Sequence, residues 1–249
     1  MWICATTCAA ASPWARPDDE LLVITKTEYF TANLEQQDPA GGSFDRLDAD
    51  IYVEYGLSDN VMLGGKAIYS NAWLTRSDSA ESSSGFSQIE IFGQYEFLRT
   101  DKNALSARVT AARSAAVISG SGGVEANNAD LEIAALYGIN IRPAPLKMFA
   151  AAEAGYRRRF GDPADQLRFQ ATVGVEPHKR ILFLAEAFGT YSLRNEDLGG
   201  ADYDIVKLQS SLVARLTQRM AVQAGASKEV AGRNLARGHA FFIGFWSAF

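Results

Sequence analysis

The last nine residues of the chain alternate between two rows of side chains, and this alternation limits the fold more than any other feature. Counted back from the carboxyl terminus, every second residue belongs to a row that is apolar except at one serine. That row consists of Phe249, Ser247, Phe245, Ile243 and Phe241. Residues two apart share one face of a β-strand, whereas an α-helix repeats every ~3.6 residues. The chain is therefore predicted to end in a strand with one apolar face.

The same period of two recurs along the whole chain and predicts about twelve strands. Between Leu47 and Leu57 every second residue is aliphatic or aromatic, and the residues between them include Asp48, Asp50 and Glu54. The predicted strands have roughly ten to fourteen residues, enough for the ~9–11 that a tilted strand needs to cross a bilayer. Short connections such as 58–60 alternate with longer ones such as the serine-rich loop predicted at 77–85.

A final strand of alternating aromatic residues that ends in Phe resembles the closing strand of Gram-negative outer-membrane β-barrels. In that family the terminal strand is also the signal read by the barrel-assembly machinery. The resemblance implies that the assembly signal consists of Phe241, Ile243, Phe245 and Phe249. The predicted fold class is all-β: an antiparallel, transmembrane, up-and-down β-barrel of about twelve strands. The predicted location is the outer membrane of a Gram-negative bacterium, where lipid surrounds the barrel.

The distribution of charged and aromatic residues favours a membrane barrel over a soluble one. The outward rows carry almost no charge, and Lys or Arg there would cost about 2–4 kcal/mol at the bilayer midplane. Aromatic residues are predicted to form two girdles at the membrane interfaces. The outer girdle contains Tyr29, Tyr69, Trp73, Tyr156, Tyr191 and Phe241, and the periplasmic girdle contains Tyr55, Tyr95, Phe97, Phe183 and Phe249.

Two alanine-rich segments, 105–117 and 146–156, also have the composition of helices, because Ala has the highest helix propensity. Their polar residues nevertheless keep a period of two, and turn residues bound both segments. They are therefore predicted to be strands, with helices as the alternative.

The amino-terminal residues resemble the end of a secretory signal. Small residues suit a cleavage site around Ala9 to Ala15, although a basic region before them is missing. The predicted organisation is a signal-peptide remnant at 1–15 and a single outer-membrane barrel at 16–249. Both cysteines, Cys4 and Cys8, fall in the first segment, so the barrel is predicted to form without disulfides.

Composition and residue types exclude several classes of function. The net charge of -5 argues against nucleic acid as a partner. No cluster of His and Cys predicts a metal, and no glycine-rich loop predicts a cofactor. Outer-membrane enzymes depend on a His close to a Ser or to carboxylates, and the chain has only His178 and His239. His178 is predicted in a turn and His239 at the outer end of the last strand, without a Ser beside it. We therefore predict no enzymatic activity, with His239 as the residue left open.

The inward rows carry charges of both signs, which are predicted to line the lumen. The acidic residues are Asp48, Asp50, Glu54, Glu90, Glu96, Asp130 and Glu132, mostly from the first half, and the basic residues are Arg157, Arg159, Arg168, Lys207 and Arg215. One interpretation is a pore whose arginines attract the carboxylate or phosphate groups of a solute. The other is a structural network of ion pairs that fills a narrow barrel. Barrels of eight strands are filled by side chains and barrels of sixteen leave a channel, and twelve lies between these numbers. The residues alone therefore favour neither interpretation.

Residues 52–64, with the sequence Tyr-Val-Glu-Tyr-Gly-Leu-Ser-Asp-Asn-Val-Met-Leu-Gly, resemble a hairpin of phenol meta-pathway transporters of the outer membrane. The predicted function is a porin-like channel for passive passage of small polar or anionic solutes. The alternative is a closed barrel with a structural, adhesion or surface-polymer export role, whose outer loops bind a polymer or other envelope proteins.

Overall fold

The computed structural model describes residues 12–34, 41–114, 129–141, 146–161, 163–194 and 202–249. These residues form a closed barrel of twelve antiparallel strands in up-and-down order, which confirms the predicted fold class. The strands are β1 (Leu21–Asn33), β2 (Ser43–Ser58), β3 (Val61–Thr75), β4 (Ala80–Arg99), β5 (Asn103–Ser114), β6 (Ala129–Ile141), β7 (Lys147–Arg159), β8 (Gln166–His178), β9 (Ile181–Ser192), β10 (Asp204–Arg215), β11 (Met220–Arg233) and β12 (Gly238–Ala248). Over the described ranges, no helix has the length and apolar character needed to cross a bilayer.

The barrel closes where the first strand pairs with the last. The register runs from Leu22 opposite Ala248 to Ala32 opposite Gly238. Beyond β12, the amide of Phe249 donates to the carbonyl oxygen of Leu21 at 2.8 Å, which extends the pairing to the terminal residue. Every strand therefore has two partners, and the sheet has no free edge.

The two ends of the barrel differ in their connections. At one end, which we call the turn end, β1 begins and β12 ends. The connections at this end are 59–60, 100–102, 142–146, 179–180 and 216–219. The opposite end, the loop end, carries the connections 34–42, 76–79, 115–128, 160–165, 193–203 and 234–237. The longest connections lie at the loop end, as the sequence predicted.

The predicted loop at 77–85 is wrong, because β4 already begins at Ala80. Serines of this segment continue the ladder with β3, and Ser82 lies opposite Trp73. The hairpin turns at 76–79, where the amide of Arg76 donates to the carbonyl oxygen of Ser79 at 2.8 Å. A serine cluster usually marks a loop, but here backbone pairing with a well-formed strand overrides that preference. The alanine-rich segments are strands over 105–114 and 147–156, whereas 115–117 lies outside the described residues.

The outer wall is apolar, and the predicted girdle residues all lie on it. Ile91, Ile133 and Ile243 are each more than half exposed. In a soluble protein, large apolar side chains in such numbers would be buried in the core. All eleven predicted girdle aromatics are likewise exposed on the outside. At the rims their hydroxyls find polar partners: Tyr55 donates to Asp19 at 2.6 Å and Tyr29 donates to Asp45 at 2.8 Å. This arrangement of apolar bodies and hydrogen-bonded tips is typical of a membrane interface.

The inside of the barrel is divided into two halves. Near the turn end the inward side chains form an apolar cluster, which consists of Leu22, Ile24, Phe149, Leu182, Leu184, Val213, Ala221 and Trp246. Toward the middle and the loop end the inward rows become charged. Residues 12–16 precede β1 and lie inside the turn-end half, where Trp14 packs against the apolar cluster. The predicted boundary between a signal remnant and the barrel falls within these residues, and the cleavage position stays a prediction.

We expect the purified protein, folded in detergent, to give a β-type far-ultraviolet circular dichroism spectrum. We also expect its mobility on a gel to change on heating, because a closed ladder of hydrogen bonds resists detergent until it is unfolded. A mostly helical spectrum would contradict the fold.

Deleting Phe249 is expected to lower the amount of assembled barrel severalfold, because the deletion removes the last backbone pair with Leu21 and the terminal aromatic residue. Phe183→Ala is the matched control, since Phe183 lies on the outer wall in the turn-end girdle, but in the middle of the chain. The measurement is the heat-modifiable fraction in outer-membrane preparations. Equal assembly of both variants would show that the terminal residue is not a signal.

Candidate lumen site

Arg157 lies at the centre of a cluster of ionised side chains in the loop-end half of the lumen. Its guanidinium donates to Glu132 through Nε and to Glu90 through Nη2, both at 2.7 Å. Its Nη1 lies 3.8 Å from Oδ2 of Asp130. The small residues Ala112 and Gly155 make room for this cluster, since a Cβ on Gly155 would lie 3.0 Å from Oε1 of Glu132. The structure thus brings together one predicted basic residue and three predicted acidic ones.

Arg168, on the neighbouring strand β8, shares two of these carboxylates. Its Nη1 donates to Oε2 of Glu132 at 2.9 Å and lies 3.9 Å from Oε1 of Glu90. The two arginines differ in exposure, because the Arg157 side chain is 6% exposed and the Arg168 side chain is 36% exposed. Arg157 therefore forms part of the wall, whereas Arg168 presents charge to the lumen.

A second group of charges surrounds Asp50 in the middle of the barrel. Oδ2 of Asp50 lies 3.7 Å from Nζ of Lys26 and 3.6 Å from Nζ of Lys66. Lys26 also donates to Oε2 of Glu28 at 3.0 Å. Lys207 lies on β10 with its Nζ 4.8 Å from the ring centroid of Phe188, a distance typical of a cation–π contact. Three ammonium groups from separate strands therefore line this part of the lumen.

Three of the cations, Arg168, Lys66 and Lys26, are more exposed than the carboxylates that they contact, whereas Arg157 is buried together with its partners. The exposed fractions of the basic side chains are 36% for Arg168, 28% for Lys66 and 24% for Lys26. Those of the acidic side chains are 8% for Asp50, 8% for Glu28 and 5% for Glu132. The carboxylates lie against the wall and the positive groups cover them. A solute in this half of the lumen would meet positive charge first.

The remaining predicted lumen residues lie apart from these two groups. Asp48 accepts from Arg46 at 2.9 Å and from Ser70 at 2.5 Å. Arg159 is near the loop end, where its Nη1 is 3.7 Å from Oδ1 of Asp202. The predicted grouping of Arg159 with Arg157 and Arg168 is therefore only partly realised.

Two further predicted residues lie at the turn end. Glu54 is fully buried and accepts from Arg16 and from the Tyr52 hydroxyl, both at 2.6 Å. Arg215 lies at the end of β10, with its Nη1 3.0 Å from Oε2 of Glu176. Glu54 and Arg215 therefore lie away from the positively charged half of the lumen, because each is near the turn end of its strand.

The basic residues inside the barrel that sequence reasoning missed include Lys26, Lys66 and Arg108. The guanidinium of Arg108 donates twice to Oε1 of Gln94 and lies 3.4 Å from Oε2 of Glu153. The period of two already placed all three in the inward rows. Their partners could not be identified, because these come from other strands.

Neither histidine lies in a catalytic arrangement. His178 is the exposed last residue of β8, and its Nδ1 accepts from the amide of Arg180 at 3.2 Å. His239 points outward from β12 and contacts the Phe241 ring edge-to-face at 5.9 Å. In the part of the chain that the structure describes, no three His, Cys, Asp or Glu side chains are grouped in a way that could hold a metal ion.

Comparison with known proteins gives similarity at the level of fold. No protein-family model and no curated protein sequence matches the chain. The COG4313 outer membrane channel from Pseudomonas putida F1 superposes with a TM-score of 0.69 at 10% identity, over 97% of this chain and 100% of that one. The NanC porin gives 0.60 at 8% identity, over 90% and 98%.

An autotransporter barrel is also similar in structure. The translocator domain of NalP from Neisseria meningitidis gives a TM-score of 0.57 at 12% identity, over 94% of this chain and 90% of that one. At such low identity these similarities show the fold alone. The chain has the closed antiparallel barrel fold of Gram-negative outer-membrane channels, porins and translocator domains.

Proposed function

We propose that this barrel lies in the outer membrane and allows passive passage of small anionic solutes. The proposal is based on the arrangement of charges in the lumen, where cations lie between buried carboxylates and the open space. Arg168, Lys26 and Lys66 are partly exposed, whereas Asp50 and Glu132 are not. The positive groups act in a confined space with low-dielectric walls, which strengthens their attraction for carboxylate or phosphate groups.

The outer wall supports the proposed location and its partners. An apolar band between two aromatic girdles requires lipid, and the girdles define the two membrane interfaces. Outer-membrane barrels have short periplasmic turns, so the turn end is placed in the periplasm and the loop end outside the cell. We propose that the row Phe241, Ile243, Phe245 and Phe249 is read by the barrel-assembly machinery, because it forms the outward face of the closing strand.

We propose that the barrel is not an enzyme. The structural neighbours described above are channels, porins and transport barrels. His239, the one residue left open by the sequence, points toward lipid beside Phe241 and Lys228.

A closed barrel that acts through its loops is the second candidate. Two observations favour it: Arg157 is buried among three carboxylates, and apolar side chains form a cluster inside the turn-end half of the lumen. In that case the loops would bind a surface polymer or another envelope protein. Conductance separates the two candidates, because only the channel passes ions.

Single-channel recording in planar bilayers is expected to show anion-selective conductance. Arg168→Ala should shift the selectivity toward cations by about two- to fivefold, since one partly exposed charge contributes about 0.5–1 kcal/mol to the energy of an ion nearby. Arg158→Ala is the control, because Arg158 lies on an adjacent strand to Arg168 but faces outward. Selectivity unaffected by Arg168→Ala would favour the closed barrel, as would absent conductance both in the intact protein and in a variant that lacks residues 12–16, which lie inside the turn-end half.

Arg157→Ala is expected to affect stability more than selectivity. The change leaves Glu90, Glu132 and Asp130 buried with one cation fewer, and breaking a buried pair costs about 3–5 kcal/mol. The measurement is the urea concentration at which the folded band disappears. Arg158→Ala should change the free energy of unfolding by less than about 1 kcal/mol, because its ion pair with Asp165 is exposed. Equal unfolding of both variants would show that the buried cluster does not stabilise the barrel.

A further inference from the structure

The residues that precede β1 enter the barrel and lie across the turn-end half of its lumen. We call residues 12–16 the inner segment. Its backbone is bound by side chains of the wall: Gln94 donates to the carbonyl oxygen of Ser12 at 2.9 Å, and the Ser106 hydroxyl donates to that of Pro13. The amide of Ala15 donates to Oε2 of Glu96 at 2.6 Å. The wall thus supplies a polar partner to the backbone of three of the five residues.

Arg16 forms the strongest contact of the inner segment. Its Nε donates to Oε2 of Glu54 at 2.6 Å, and the Glu54 side chain is 0% exposed. The Tyr52 hydroxyl donates to the other oxygen of the same carboxylate. Without Arg16, the wall would hold a buried carboxylate with no cation, which is unfavourable. The Glu54 carboxylate is therefore paired with Arg16 only when the segment is bound.

Trp14 joins the inner segment to the apolar cluster of the lumen. Its ring meets Phe149 edge-to-face at 6.4 Å. Trp14 packs against the apolar cluster that includes Leu182, and Ala15 forms a second buried cluster with Met62 and Phe92. The segment and these side chains occupy this half of the lumen.

Two glycines of the wall provide the space that the segment needs. A Cβ at Gly138 would lie 2.4 Å from Cγ of Pro13 and 2.5 Å from Cη2 of Trp14. A Cβ at Gly56 would lie 2.8 Å from the carbonyl oxygen of Arg16 and 1.8 Å from that of Pro17, the next residue. An alanine at either position, which a strand accommodates readily, would be incompatible with the bound segment. The wall is therefore shaped for this segment.

The inner segment is attached to the sheet in a way that allows it to leave. Residues 17–20 form a turn fixed to β2, where the amide of Asp19 donates to the carbonyl oxygen of Gly56 and the amide of Gly56 donates to that of Glu20, each at 3.0 Å. Asp19 has φ of 61°, a left-handed conformation at the turn. The inner segment itself takes no part in the strand ladders of the barrel. Its departure would break side-chain contacts but would leave the barrel intact.

We propose that the inner segment is a gate: bound, it closes the periplasmic half of the lumen, and released about the turn at 17–20, it opens a path for ions. This inference rests on the proposed channel function, and it requires that the predicted signal is cleaved before Ser12. The gate determines whether the lumen conducts, and the exposed cations of the loop-end half determine which ions pass. The two properties can therefore be measured separately.

Gly138→Ala tests the gate without changing the segment, and Gly85→Ala is its control, because a Cβ there meets no atom within 4 Å. Release is measured by maleimide labelling of a Ser12→Cys variant in which Cys4 and Cys8 are replaced by Ser. Opening is measured as conductance in planar bilayers. Gly138→Ala should raise both the labelling rate and the time spent conducting at least tenfold, with unchanged anion selectivity. Unchanged labelling in a folded Gly138→Ala barrel would overturn the assignment of Gly138 to the gate.

A variant that lacks residues 12–16 provides the second measurement, with the heat-modifiable band as the check on folding. The deletion should give conductance that no longer closes. If this variant and the intact protein conduct equally, the segment is not a gate, although the channel function stands. If neither conducts, the wall alone closes the barrel, and both the gate and the channel are wrong. If the deletion prevents folding, labelling and conductance of Gly138→Ala decide.

Discussion

The pairing of β1 with β12 is the constraint on which the rest of the structure depends. In hydrocarbon an unpaired backbone N–H or C=O costs several kcal/mol, so every strand needs a partner on both sides. The ladder from Leu22–Ala248 to Ala32–Gly238 supplies the last of these partners. Its register also decides which row faces lipid, because a shift by one residue would exchange the two faces. The aromatic row of β12 points outward for this reason.

In a barrel of twelve strands the side chains of the wall fill the lumen only partly. The remaining volume is occupied differently in the two halves. At the turn end the volume is taken by apolar side chains and by a segment that precedes the sheet, with Trp14 against Phe149. At the loop end ion pairs line the wall, and the side chains of Lys66 and Arg168 are partly exposed. One half therefore resembles the core of a soluble protein, and the other resembles a vestibule.

Arg157 and Arg168 show how position decides the role of a charge. Both contact Glu132 and Glu90, and they come from neighbouring strands. Arg157 is enclosed by carboxylates and compensates their burial, which is a structural task. Arg168 reaches the same carboxylates from the open side, so part of its charge faces the lumen. An inward arginine in the sequence does not reveal which of the two it is, because burial depends on the neighbouring strands.

The sequence by itself determined the strands, their inward and outward rows and the aromatic girdles, because these follow from a period of two within each segment. It failed at 77–85, where pairing with β3 overrode the local preference of serine. Only the tertiary structure decided which charges meet, since Arg157 and Glu90 are 67 residues apart. It also placed Ser12 beside Gln94, 82 residues away, which a local pattern cannot show. Contacts across the lumen depend on barrel closure and strand stagger, and these belong to the whole sheet.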